Sequence, residues 1–178
     1  DDPRVTPIGL HIEGFGNLRN WEKLARKAYQ KDIPIIVLKS GKSQQAKSAA
    51  ISHTATITGS DVGAQAFLDR LGIRRAESLP VFLEMLKLNH QFGILESNQI
   101  ASISCSGGEA ALVADAVYGT SLEFPPLTTR QRRDLRKVLG PMVALANPLD
   151  YHTYIWRDEP KMAAAWAAMA NSEIALTL

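Results

Sequence analysis

The sequence predicts an α/β protein built from two consecutive parallel-sheet domains with helices on both faces, and three observations point there. Short β-branched runs alternate with amphipathic helical stretches along the whole chain, the pattern of an open parallel sheet. Two of the strands run into a glycine turn and then a helix, at Gly14-Phe15-Gly16-Asn17 and at Ser106-Gly107-Gly108. The polar stretch Gln91–Asn98 separates two strand–turn–helix units of similar plan, which sets the expected domains at residues 1–93 and 94–178. A chain of 178 residues is long enough for two small cores.

Each element has its own signal. Ile8–Ile12 reads as a strand, and Leu18, Trp21, Leu24, Ala25 and Ala28 then recur at helical spacing. Ile33–Leu38 is an unbroken apolar strand, ended by Lys39-Ser40-Gly41-Lys42. Gln44–Gly59 is rich in Ser, Thr and Ala without a clear period, and is expected to be a long loop of the kind that usually carries function. Ser60 or Asp61 caps a helix with Ala64, Phe67, Leu68 and Leu71 on one face. Ser78 caps another, with Leu79, Phe82, Leu83 and Leu86 expected to face the core. In the second unit Gln99–Cys105 reads as a strand and Glu109–Tyr118 as a helix. A basic helix runs from Thr128 through Leu139, Val143–Ala146 is a short strand, and Asn147-Pro148-Leu149-Asp150 turns away from it. Pro160–Ala170 is a helix with Met162, Trp166 and Met169 expected inward, before a last strand at Glu173–Leu178. Because a parallel strand normally leads into a further crossover, the chain is expected to be a fragment of something larger.

Composition narrows the function classes. Twenty Lys and Arg against 18 Asp and Glu leave a formal charge of +2, too small for a broad nucleic-acid or anionic-membrane footprint. The basic cluster Arg130–Arg133 with Arg136 and Lys137 is read as a solvated helix face. The single cysteine, Cys105, excludes an internal disulfide, suggests a reducing compartment and sits in an apolar run that favours a buried structural thiol. No apolar stretch is long enough to span a bilayer and no signal-peptide pattern opens the chain, so the cytoplasm is expected.

Of the four histidines, His90 reads as a solvated helix end and His11 as a satisfied strand-end group on the same side as Glu13, while His152 divides evenly between packing and function. His53 differs. It lies amid small and hydroxylated residues in Ser52-His53-Thr54-Ala55-Thr56-Ile57-Thr58-Gly59-Ser60-Asp61, with no cysteine or second histidine near enough to suggest a metal. The glycine turns at Glu13–Gly16 and Ser106–Glu109 permit close backbone approach, and a helix N-terminus presents free N–H groups to an anion. Two such helix ends aimed at one point would suit a phosphorylated imidazole; either alone is more simply a tight turn.

Together these residues resemble the nucleoside-diphosphate-forming acyl-CoA synthetases, relatives of succinyl-CoA synthetase. Ile35–Gly41 followed by Ser52–Asp61 resembles that family's phosphohistidine segment, and His11-Ile12-Glu13-Gly14 resembles the strand end supplying a glutamate that orients the histidine. Ser104–Asp115 resembles the glycine turn and helix of the next domain, and Asn147-Pro148-Leu149-Asp150 a recurrent motif further along. Ala55 departs from the pattern, standing where members often have Gly. The resemblance implies two succinyl-CoA synthetase-like, flavodoxin-like domains, the first carrying the phosphohistidine loop and the second a ligase-CoA domain cut at its C-terminus.

It also implies a reaction, in which acyl-CoA, phosphate and nucleoside diphosphate interconvert with acid, CoA and nucleoside triphosphate through a phosphohistidine. His53 would be the carrier and Glu13 its orienting partner. Gly14, Phe15, Gly16, Ser52, Thr54, Gly107, Gly108 and Glu109 would surround the phosphoryl group. No tightly held cofactor and no resident metal are implied; CoA, ADP or ATP, phosphate and Mg are substrates of the whole enzyme. The implied partners are a CoA-binding domain, an ATP-grasp domain or subunit and a small carboxylic acid, with oligomerisation left open. Two rivals stand beside this reading: a regulatory homologue, for example one fused to an acetyltransferase, and a flavodoxin-like binding or assembly module.

Overall fold

The structure is a computed structural model that describes residues 2–54 and 59–178. The chain divides into two compact units, Asp1–Ile94 and Leu95–Leu178.

In the first unit, strand β1 (Ile8–Ile12) leads through Gly14–Asn17 into helix α1 (Leu18–Tyr29). Gly16 takes a positive φ of 58°, a backbone state open to glycine at little cost, and Asn17 then caps the helix by accepting from the Arg19 amide at 3.0 Å. Strand β2 (Ile35–Lys39), helix α2 (Gln44–Thr54), helix α3 (Asp61–Arg70), strand β3 (Arg74–Ala76) and helix α4 (Leu79–Phe92) follow. The strands form one parallel sheet in the order β1-β2-β3, with Ile8 opposite Ile35 and Ile36 opposite Arg74. Both faces of β2 are covered. Ile35 and Val37 pack with Ala28, Leu68 and Ile73 beneath α1 and α3, while Ile36 packs with Ala76 and Phe82 beneath α4. Alternate residues on opposite faces, all apolar, are what a doubly covered parallel strand requires.

The first unit departs from the sequence expectations at three places. Gln44–Gly59 is not loop throughout: its first eleven residues, Gln44–Thr54, are helix α2, because Gln, Lys and Ala favour a helix even where no apolar stripe marks one. The rest of that stretch through Thr58, with the Ala55 departure, lies outside the described residues. Strand β3, short and opening on two arginines, carries no apolar run and was not expected. On α4 the inward residues are Phe82, Met85 and Leu86; Leu79 and Leu83 are exposed, because a helix on a single sheet face buries a narrower stripe than four expected positions.

The second unit holds β4 (Ile100–Ala101), β5 (Ile103–Ser104), α5 (Gly107–Val117), α6 (Thr129–Leu139), β6 (Leu149–Asp150), α7 (Glu159–Met169) and β7 (Leu176–Thr177). The expected strand Gln99–Cys105 is divided at Ser102, with β4 pairing to β7 and β5 to β6, both parallel. The expected strand at Val143–Ala146 is absent, and the ladder forms instead at Leu149–Asp150, the predicted turn. The reason is local. Asn147 occupies the sheet edge with its side chain, accepting from the Ser102 amide and donating to Ile100 O, and Pro148 has no amide hydrogen. The first ladder donor is therefore Leu149, which reaches Ser102 O at 2.8 Å.

The core of this unit gathers Leu127, Leu135, Val143, Leu149, Tyr151, Ala165 and Met169. Trp166 is not inward as expected but 40% exposed, and its neighbour Ala165 takes the buried position with Met169 in the core of the unit. The basic residues of α6 are exposed, yet several also act as latches. Arg130 donates to Ala170 O, Arg132 to Leu127 O and Leu145 O, and Arg136 to Gly140 O and Val143 O. Among the described residues no helix is long and apolar enough to cross a membrane.

Candidate functional site

In open α/β sheets ligands collect outside the carboxyl ends of the strands. In the first unit that edge is where Glu13 follows β1, where Ser40–Ser43 follows β2, and where Glu77 follows β3. The edge is tied together by Ser40, whose amide donates to Ile12 O at 3.0 Å and whose hydroxyl reaches the same oxygen at 3.3 Å. The Gly14–Asn17 turn is held from behind: Trp21 Nε1 donates to Phe15 O at 2.7 Å, and the Phe15 ring meets Trp21 and Phe67 edge-on at 5.3 and 5.1 Å. That packing fixes how Gly14, Phe15 and Gly16 approach the edge.

Topology sets α2 apart. Helix α3 alone spans the return from the carboxyl edge of β2 to the start of β3, so α2 is an excursion made at that edge. Both roots of the excursion are pinned. Its start follows the Ser40–Ile12 contact, and at its end Asp61, the first residue of α3, bonds Arg75 of β3 at 2.6 Å. Arg75 also donates to Gln65 Oε1 at 3.4 Å. The Arg75 guanidinium, above all, holds the Asp61 carboxyl below its usual range, with further lowering from Lys42 and Lys39. His53 lies in the last turn of α2, about 13 Å along the helix from Gln44 at ~1.5 Å per residue. Ser52 Oγ donates to Ala49 O at 3.1 Å and Ala50 is buried. The expected Glu13–His53 pairing rests on the His53 side chain, and it and the Thr54 side chain fall outside the described residues.

Lys39 is a further polar member of this edge, marked in the sequence by a charge that closes an apolar strand. It is only 6% exposed, and its Nζ donates to Ser40 O at 3.0 Å. Burial, followed by repulsion from Arg75, pushes its ammonium below lysine's ordinary value, while Asp61 pulls the other way.

Gly107, Gly108 and Glu109 belong to the other unit. Ser106 caps α5 by accepting from the Glu109 amide at 3.4 Å, and Ser104 Oγ supports the turn by donating to Ser106 O at 3.0 Å. A Cβ placed on Gly107 would stand 3.2 Å from Asp150 Oδ2, so a larger residue there would press on that carboxylate. Asp150 in turn accepts from the His152 amide at 2.7 Å, and its second oxygen lies 3.4 Å from His152 Nδ1. This gives His152, at φ 58°, a positioned partner beyond simple packing. Tyr151 is buried beside Cys105 and Glu109; burial first, then those neighbours, raise its phenol above the usual value and keep it a hydrogen-bond donor. Cys105 is half-buried, and His90, read as a solvated helix end, bonds Thr6 Oγ1 through Nδ1 at 2.7 Å.

Comparison with known proteins agrees with this architecture. Residues 1–89 match the model of the succinyl-CoA ligase like flavodoxin domain. The chain is 33% identical over 150 residues to an ADP-forming acetate–CoA ligase of Methanocaldococcus jannaschii, covering 84% of this chain and 21% of that protein. It is 33% identical over 143 residues to the alpha subunit of ADP-forming acetate–CoA ligase II of Pyrococcus furiosus, covering 80% of this chain and 31% of the subunit. Among solved structures, the dinucleotide-forming acetyl-coenzyme A synthetase 1 of Ca. Korarchaeum cryptofilum, in complex with phosphate and ADP, superposes with a TM-score of 0.85 at 23% identity, over 99% of this chain and 38% of that one. That likeness is one of fold, and the chain spans between a fifth and a third of the length of these curated relatives. With half of its residues matched by one domain model, and with the first unit built as a parallel α/β sheet, this chain belongs to the succinyl-CoA ligase like flavodoxin domain family.

Proposed function

We propose that this chain is the phosphoryl-carrying part of an acid–CoA ligase of the NDP-forming type, with His53 as the carrier. The observation that carries the reading is the excursion bearing His53, pinned at both roots to the carboxyl edge where Glu13 emerges. The ADP-forming ligases among its relatives support the reaction class and do not favour the regulatory alternative.

Imidazole suits a relay because its free pKa of ~6.5 leaves a neutral ring nitrogen available at cellular pH. That nitrogen attacks the phosphorus of an acyl phosphate; the P–N bond forms, the P–O bond to the acyl group breaks, and the carboxylate leaves. A terminal oxygen of the nucleoside diphosphate then attacks the same phosphorus, and the P–N bond breaks to return imidazole. Glu13 holds the other ring N–H, selecting the tautomer and balancing positive charge on the ring, as a carboxylate does beside the histidine of a hydrolase triad. Backbone amides at Gly14–Gly16 receive the phosphoryl oxygens, with Ser52 and Thr54 beside the carrier. A CoA-binding domain and an ATP-grasp domain or subunit supply the remaining sites for CoA, nucleotide and Mg, and the cytoplasm supplies the substrates.

The test is phosphorylation of the parent enzyme with γ-labelled ATP, mapped under neutral conditions that preserve phosphohistidine. Acid-labile label on His53, absent from His53→Asn and reduced at least tenfold in Glu13→Gln, is the expected result, the loss of one charged hydrogen bond amounting to about that factor. Label elsewhere, or none on His53 in an enzyme that binds ATP, overturns it.

A further inference from the structure

At the carboxyl edge of the first unit the carrier chemistry above leaves one buried cation without a task. Lys39 ends a strand whose other members are Ile35, Ile36, Val37 and Leu38, and it is only 6% exposed. An ammonium has three donors and a full charge. Among the described residues its one hydrogen-bond acceptor is the neutral Ser40 carbonyl. The carboxylate in its neighbourhood, Asp61, is already bonded to Arg75. Arg75, Lys42 and Lys39 all act on Asp61, so three cations share one carboxylate, and Lys47 adds to the positive charge felt by Lys39. A buried ammonium is unfavourable unless an anion completes it, and Met at this position would fill the same strand without that cost. The excess positive charge stands where open α/β sheets bind ligands.

We propose that Lys39, with Arg75 beside it and Lys42 acting on the Asp61 they share, is a phosphoryl-oxygen binding site, taking either free orthophosphate or the phosphoryl group on His53. The second source rests on the carrier reading; the first does not. In the free-phosphate case the tetrahedral dianion supplies the acceptors Lys39 lacks. In the carried case the same donors hold the phosphoryl group at the edge after it has been accepted, which slows its loss to water.

The experiment uses the full parent enzyme and labelled orthophosphate in equilibrium dialysis, alongside the labelling of His53 by γ-labelled ATP. The variants are Lys39→Met, Lys39→Arg, Lys42→Met and His53→Asn, each checked for an unchanged circular dichroism spectrum. Lys39→Met should weaken one orthophosphate site, or shorten the half-life of phosphorylated His53, by about tenfold or more, the effect of losing a charge-assisted hydrogen bond. It should do so while its urea midpoint stays level or rises, which a structural role would not produce. Lys39→Arg should restore most of the loss, and Lys42→Met should cost a smaller factor. If Lys39→Met does not fold, Lys39→Gln, which keeps a polar side chain and removes the charge, decides in its place, and binding and half-life equal to wild type in it would overturn the proposal. A Lys39-dependent orthophosphate site that survives in His53→Asn, with no label on His53 in the wild type, would keep the site and refute the carrier. Normal labelling and half-life of His53 with no effect of Lys39→Met on either readout would keep the carrier and refute the site.

Discussion

Removing the Arg75 guanidinium should loosen the root of the α2 excursion, and the size of the effect follows from the pair's setting. Arg75 Nη2 lies 2.6 Å from Asp61 Oδ1, and the two side chains are 13% and 26% exposed. Fully exposed ion pairs contribute at most about 1 kcal/mol, whereas a hydrogen bond to a charged group contributes ~1.5–3 kcal/mol. The low exposure puts this pair near the middle of the second range, so a coupling of about 2 kcal/mol is expected. Arg75→Met keeps the aliphatic stem and removes the charge; Asp61→Asn removes the charge on the other side. A double-mutant cycle by urea denaturation at pH 7 isolates the pairwise part, because each single variant deletes the contact without adding a new one. The pH dependence has a definite sign. Asp61's carboxyl is held below its unfolded value by Arg75, so its contribution is present above that unfolded value, ~3.9, and is lost as pH falls through the lower folded one. A coupling energy below about 0.5 kcal/mol at pH 7, inside the range of exposed pairs, would refute the claim that this contact pins the excursion.

Two further predictions concern packing and buried polarity. A methyl group added at Gly9 would stand 2.8 Å from both Leu86 Cδ1 and Phe82 Cζ, so Gly9→Ala should destabilise the first unit by about 1–3 kcal/mol, read as a lower urea midpoint. Gln131 accepts from the Thr128 amide at 2.9 Å and donates through Nε2 to Met169 O, so Gln131→Glu keeps the cap but turns a carboxylate oxygen on a carbonyl in a buried site. A loss of about 2–3 kcal/mol at pH 7 is expected, relieved in acid as the new carboxyl takes up a proton and regains a donor; an unchanged midpoint would contradict the assigned hydrogen bonds.

The sequence by itself determined the elements whose signal is local. The alternating apolar run of β1 and the continuous one of β2, the helical spacing from Leu18 to Ala28, the cap at Ser78 and the helix start at Thr128 all express backbone preference or one-sided burial. The segment holding His53 and the turns flanking it were legible as residue types in an order. Tertiary structure decided the rest. Helix α2 has no apolar stripe, so its helicity could not be read from periodicity, and β3 is a strand because it lies beside β2 rather than because Arg74 and Arg75 favour one. The ladder formed at Leu149 rather than Val143 because the Asn147 side chain, 45 positions from Ser102, claimed the edge. The electrostatics of the site are of the same kind. Lys39, Asp61 and Arg75 are separated along the chain, and only the packing of two strands and a helix end buries the first, pairs the other two and leaves the group with an excess of positive charge.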